Sequence, residues 1–165
     1  MKGKNIILIG MPGVGKSTVG VVLAKKLGYA FVDADLVIQS REGKLLYEII
    51  AERGVEGFWR LEEAVGESVE TERTVIATGG SAVYGKKAMA HYKRIGTVVY
   101  LSLPLEGIRE RLGDLTERGV TLKEGQDLDG LYVERQPLYE RYADATVDCE
   151  GLSIREIVEK IAVLV

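Results

Sequence analysis

Five short runs of apolar and β-branched residues punctuate the chain, at Asn5–Ile9, Ala30–Val32, Thr74–Ala77, Thr97–Leu101 and Ala145–Val147. Polar alternation inside them is slight, so each reads as a strand covered on both faces. The segments between them change period. Val19, Leu23 and Leu27 recur four apart in Lys16–Leu27, and Phe58, Leu61, Val65 and Val69 form one stripe along Glu56–Glu70. Both spacings predict helices. Pro104 is placed to open a helix after the fourth run, Leu128–Tyr142 predicts another, and Ile154–Ile161 closes the chain. Strands that alternate with helices predict an α/β fold: a parallel sheet with helices on both faces. At 165 residues this is one domain, residues 1–165.

Ligands of such sheets bind beyond the carboxyl ends of the strands. The residues just after the apolar runs are Gly10–Ser17, then Asp33-Ala34-Asp35, then Thr78-Gly79-Gly80, and the fourth run leads toward the Gly- and Arg-bearing segment Gly113–Gln126. Polar and glycine-rich chemistry therefore gathers where the fold places a site.

Gly10-Met11-Pro12-Gly13-Val14-Gly15-Lys16-Ser17 matches the phosphate-loop pattern G-x-x-x-x-G-K-[ST]. Glycines let backbone N–H groups turn inward around phosphate oxygens, and the following helix offers its positive end to the same anion. On this pattern Gly13, Val14, Gly15, Lys16, Ser17 and Thr18 are expected to bind ATP, with Lys16 reaching the β- and γ-phosphates and Ser17 placing a hydroxyl on Mg²⁺. A GTPase would also carry an Asn-Lys-x-Asp base-reading motif, and none is present.

Asp33 and Asp35 point the same way if the extended geometry of the second strand continues past it. One could then hold Mg²⁺ through water while the other meets a substrate hydroxyl. The plainer reading is a solvated turn with Asp35 as N-cap of a helix over Leu36–Ser40. The neighbouring phosphate loop favours the catalytic reading.

Composition narrows the partners. A net charge of −3 gives no basic field for a sequence-independent grip on nucleic acid, so none is expected. The apolar runs are too short for a signal core or a membrane span. The single cysteine, Cys149, can form neither an internal disulfide nor a cysteine-based metal site, and a cytoplasmic setting fits. His91, the only histidine, lies in the polar stretch Lys86–Arg94 and is expected at the surface. A monomer acting on a small molecule is expected.

At this point the chain resembles the shikimate kinase family of nucleoside-monophosphate-kinase-like P-loop enzymes. The resemblance rests on Gly10–Ser17 with Thr18-Val19-Gly20, Phe31-Val32-Asp33-Ala34-Asp35, Arg41-Glu42-Gly43-Lys44, Thr78-Gly79-Gly80 and Glu134-Arg135-Gln136-Pro137-Leu138-Tyr139. It implies a three-layer P-loop kinase fold with sheet order 2-3-1-4-5. It also implies a lid over about 113–126 and a substrate-binding helical segment over about 35–70. It implies ATP and Mg²⁺ as cofactors and shikimate, or a similar hydroxylated acid, as acceptor. Lys16, Asp35 and Arg118 would be catalytic, Asp33 would assist Ser17 with the metal, and Arg111 would stack on adenine beside the lid residue Arg118. Gly79, Gly80 and Arg135 would line the substrate site, with Arg135 on the carboxylate.

Three departures bear on the acceptor. The family carries Phe-Arg-x-x-Glu in the substrate-binding helix, and its arginine helps hold the carboxylate. Aligned without a gap, Phe58 and Glu62 match and Trp59 takes the arginine position. A one-residue shift instead makes Trp59-Arg60-Leu61-Glu62-Glu63 the matching segment and puts Arg60 on the substrate. The ungapped register is favoured, and Trp59 is then either a flat apolar wall of the site or a core aromatic. Ser81 stands where a third glycine is usual, and Arg118 precedes Gly119 where proline is usual. The leading reading is an ATP-dependent shikimate kinase. A P-loop kinase of another small hydroxylated metabolite, such as gluconate or a nucleotide, is the second. A nucleotide sensor without transfer is the third, and the presence of Lys16, Asp35 and Arg118 together argues against it.

Overall fold

The structure, a computed structural model, describes residues 4–112 and 119–165. It contains strands β1 (Asn5–Ile9), β2 (Ala30–Asp33), β3 (Thr74–Ala77), β4 (Gly96–Ser102) and β5 (Ala145–Asp148). All pair in parallel in the order β2-β3-β1-β4-β5, with Leu8 opposite Ala77 and Val99 in the central strand's two ladders. β1 is buried along its whole length, as its unbroken apolar run requires of a central strand.

The helices are α1 (Lys16–Leu27), α2 (Ala34–Glu42), α3 (Leu46–Glu67), α4 (Lys86–Ile95), α5 (Leu105–Arg111), α6 (Leu128–Tyr142) and α7 (Ile154–Leu164). A short 3-10 turn at Ala82–Tyr84 links β3 to α4. Right-handed crossovers put α1 on one face, where it packs beside α7, and the crossovers running the other way put α4 and α6 over β4 on the opposite face. The main core lies around β1, β3 and β4. A second cluster of Ile38, Leu46, Ile49, Phe58 and Val65 joins α2 to α3.

The structure changes three expectations. The second strand's extended geometry stops at Asp33, because Asp33 and not Asp35 is the N-cap of α2: its Oδ1 accepts from the backbone N–H of Asp35 at 3.0 Å and of Leu36 at 3.3 Å. The two carboxylates therefore do not share a direction. The helix expected over Glu56–Glu70 begins ten residues earlier, at Leu46, and turns a corner at Gly54, whose φ of 75° and ψ of 172° interrupt it. His91 is 6% exposed, not on the surface. Its Nε2–H donates to the Val69 carbonyl at 2.6 Å and its Nδ1 accepts from Arg94 at 3.1 Å, which ties α4 to the end of α3.

Candidate active site

The loop between β1 and α1 carries three glycines at positive φ, Gly10, Gly13 and Gly15. Gly15 is the N-cap of α1 and supplies no side-chain acceptor, so the first amides of the helix face outward unpaired by a cap. That is the arrangement an anion needs. Lys16 folds back over the loop, its Nζ donating to the carbonyls of Gly10 at 2.7 Å and Met11 at 2.9 Å. Burial is the main cause holding its ammonium down, to about 8, against the pull of Asp35. Ser17 and Thr18 are exposed at the helix start, and Ser17 Oγ donates to Asp33 Oδ2 at 2.6 Å. Asp33 is thus held from both oxygens, one on the α2 amides and one on Ser17. Arg111, the last residue of α5, donates from Nη1 to the Val14 carbonyl at 3.0 Å, which places it over the same loop.

Beside this loop is a small, partly enclosed cavity of about 30 Å³, lined by Asp35, Phe58, Glu62, Gly79, Gly80, Thr121 and Arg135 among others. Gly79 permits a close approach of two carboxylates: a side chain there would clash with Glu62 Oε2 and meet Asp35 Oδ1 at 2.7 Å. Burial pushes Asp35 up to about 6, with the Asp33 charge adding to it and Lys16 opposing. Burial pushes Glu62 up to about 8, reinforced by Asp35. Ser81 Oγ donates to Glu62 Oε1 at 2.6 Å, and Glu62 Oε2 has no partner among the described residues. Ser81 has φ −92°, so its backbone does not demand the glycine usual at that place.

Arg135 is 1% exposed. Its Nη2 donates to Thr121 Oγ1 at 2.9 Å and to the Thr121 carbonyl at 3.3 Å, and its guanidinium lies 5.4 Å from the centre of the Tyr84 ring. No carboxylate pairs with it among the described residues. Tyr139, one turn further along α6, donates from its hydroxyl to the Gly80 carbonyl at 2.6 Å and fixes the floor of the cavity.

The structure decides the register of α3. Phe58 and Glu62, one turn apart, both face the cavity, as the ungapped alignment requires. Arg60 does not reach it. Its side chain is 81% exposed and pairs with Glu56 at 3.9 Å, because it lies two residues from both Phe58 and Glu62, about 200° round the helix from the cavity face. Trp59 is not a wall of the cavity either. It stacks on Tyr84, with centroids 4.1 Å apart and planes at 17°, and its Nε1–H donates to Thr121 Oγ1 at 3.0 Å from behind. Arg118 lies outside the described residues. Gly119, which follows it, has φ 70°, a value the usual proline cannot adopt.

Glu62 was matched to the family motif without a role of its own, and Tyr84, Thr121 and the hydroxyl of Tyr139 escaped the sequence reading. Glu62 left a signal, since it is four residues beyond Phe58 on the same helical face. Thr121 and Tyr84 left none, because their partners Trp59 and Arg135 come from distant helices. No group of three or more metal-ligating side chains occurs among the described residues.

A phosphate loop at the head of a parallel 2-3-1-4-5 sheet, with an acid and a buried arginine in the adjoining cavity, defines a P-loop kinase. The sequence profile of the shikimate kinase family matches residues 12–165. The shikimate kinase of Thermodesulfovibrio yellowstonii is 40% identical over 161 residues, covering 96% of this chain and 92% of its own. That of Persephonella marina is 38% identical over 159 residues, covering 96% of each. The shikimate kinase of Acinetobacter baumannii, solved in complex with shikimate, superposes with a TM-score of 0.83 at 31% identity, over 99% of this chain and 93% of that one. The chain belongs to the shikimate kinase family, and its chemistry is phosphotransfer to a hydroxyl group.

Proposed function

We propose that the chain transfers the γ-phosphate of ATP to a hydroxyl of shikimate, giving shikimate 3-phosphate and ADP. The observation that carries this reading is Arg135: a guanidinium buried without a carboxylate partner among the described residues, in the same cavity as Asp35. A buried cation of that kind is costly until an anion arrives. A carboxylate on the acceptor supplies that anion and leaves the hydroxyl toward Asp35 and the phosphate loop.

In the reaction, Asp35 accepts the hydroxyl proton. The freed oxygen attacks the γ-phosphorus as the bond to the bridging β,γ-oxygen breaks, and ADP leaves. Lys16 and the unpaired amides at the start of α1 hold the phosphates where negative charge builds. Ser17 and Asp33 fit Mg²⁺, since that ion keeps most of its waters and takes only one or two protein ligands. When bound it neutralises β- and γ-phosphate charge. Arg111, over the phosphate loop, is proposed to lie on the adenine, and Arg118 to close on the transferring group.

Asp35 must be ionised to accept a proton. Its carboxyl is raised to about 6 in the free protein, so kcat/KM should fall as pH drops through 6 and level off above it. Asp35→Asn should keep ATP binding and lose turnover by a factor on the order of 10²–10⁴. The deciding assay is ADP release from MgATP with and without shikimate. Release that depends on shikimate supports the reading. ATP binding without it would move the acceptor to another hydroxylated acid.

A further inference from the structure

We propose that Thr121 is a recognition residue for the acceptor's carboxylate: its hydroxyl, oriented by Trp59 and Arg135, donates a hydrogen bond into the cavity beside the Arg135 guanidinium. The inference rests on the reading of Arg135 as the carboxylate's cation.

The argument is one of valence. A threonine hydroxyl has two acceptor lone pairs and one proton to donate. Thr121 Oγ1 accepts from the Trp59 indole N–H at 3.0 Å and from Arg135 Nη2 at 2.9 Å. Indole and guanidinium are donors only, so neither contact can be reversed. Both lone pairs are spent, and the O–H must point in a third direction. Thr121 is 2% exposed, yet it lines the cavity, and its hydroxyl donates to no acceptor among the described residues. A buried O–H beside a guanidinium, with its rotation fixed by two donors, complements a carboxylate, which offers acceptors alone.

The surrounding contacts keep this polarity. Trp59 is clamped by its stack on Tyr84, and the Arg135 guanidinium lies against the same Tyr84 ring. The two donors that set the hydroxyl are therefore braced by one aromatic. Trp59 does not itself line the cavity. It acts through Thr121 as a positioning residue and does not contact the acceptor.

The test uses the full chain with three variants: Thr121→Val, which keeps the shape and removes the hydroxyl; Thr121→Ser, which restores it; and Trp59→Phe, which keeps a stacking ring and removes one of the two donors. Steady-state kinetics would separate the KM for shikimate from that for MgATP. Binding of shikimate, and of benzoate as a plain carboxylate probe, would be followed by emission of Trp59, the chain's single tryptophan, and by calorimetry for Trp59→Phe. Thr121→Val should raise the shikimate KM and both dissociation constants roughly ten- to a hundredfold, the range for a hydrogen bond to a charged group, with the MgATP KM unchanged. Thr121→Ser should recover most of the loss, and Trp59→Phe should fall between. Equal carboxylate affinity in wild type and a folded Thr121→Val overturns the proposal. So does failure of Thr121→Ser to recover affinity, or absence of carboxylate binding by the wild type. Carboxylate binding without shikimate-dependent ADP release would instead remove the functional reading, and the binding series would still decide Thr121.

Discussion

The residue that stands out energetically is Glu62. It is buried on α3, accepts from Ser81 on one oxygen and has no partner on the other among the described residues. Burial and the nearby Asp35 charge raise its carboxyl from the ordinary 4.5 to about 8. The folded chain thus holds a proton there that the unfolded chain has released, and stability falls as pH rises from about 4.5 through 8. Glu62→Gln keeps the shape and the acceptor for Ser81 but cannot ionise. It should be more stable than wild type at pH 8 by roughly 1–3 kcal/mol and nearly equal to it at pH 5, measured by urea unfolding at both. An offset that does not change with pH would show that Glu62 is charged in the folded chain. Legibility at this scale follows the range of the contacts. Lys16, Asp35 and Arg135 could be placed from sequence because local patterns carry them. Thr121 could not, since its oxygen is shared between donors 62 residues before it and 14 after it. The ungapped register, which keeps Arg60 off the site, could be favoured from sequence because helical rotation fixes which neighbours share a face.

At the scale of elements, the strands were legible because a buried parallel strand leaves an unbroken apolar run, and all five are found within one or two residues of their expected bounds. The helical segment after β2 was harder. Its Leu46–Arg53 part buries only Leu46 and Ile49 and carries exposed charges, so its stripe is faint. The corner at Gly54 has a backbone conformation open essentially to glycine alone. Nothing lies within 4 Å of where a side chain would be, so substitution there meets backbone strain and no steric clash. Gly54→Ala should therefore cost roughly 1–3 kcal/mol in urea unfolding. The corner also sets the rotation of the second helical piece, which carries Phe58 and Glu62 to the cavity. The variant should thus raise the acceptor's KM more than that of MgATP, whose loop lies on another element. Equal effects on both substrates would show that the bend does not aim α3.

The whole molecule shows a division between what stabilises the fold and what serves the reaction. The sheet core around β1 is apolar and complete, while the groups at its carboxyl end are buried at a cost: Lys16 is held down to about 8 chiefly by burial, and Arg135 has no ion pair among the described residues. Such groups destabilise the empty protein and become favourable when an anion binds, which links stability to occupancy. Lys16→Ala tests this linkage. It removes a desolvated ammonium whose two hydrogen bonds are to loop carbonyls, so the ligand-free variant should melt at or slightly above the wild-type Tm. Wild type with MgATP at a hundred times its Kd should gain about 2.7 kcal/mol, or roughly 5–10 °C for a domain of this size. The variant at the same MgATP concentration should gain little, and its turnover should fall with its affinity. Calorimetric melting of both proteins with and without MgATP checks the two halves together. A variant that melts well below wild type when empty would mean that Lys16 holds the loop as structure, and one that keeps the full MgATP gain would mean that the phosphates are gripped by the helix amides without it.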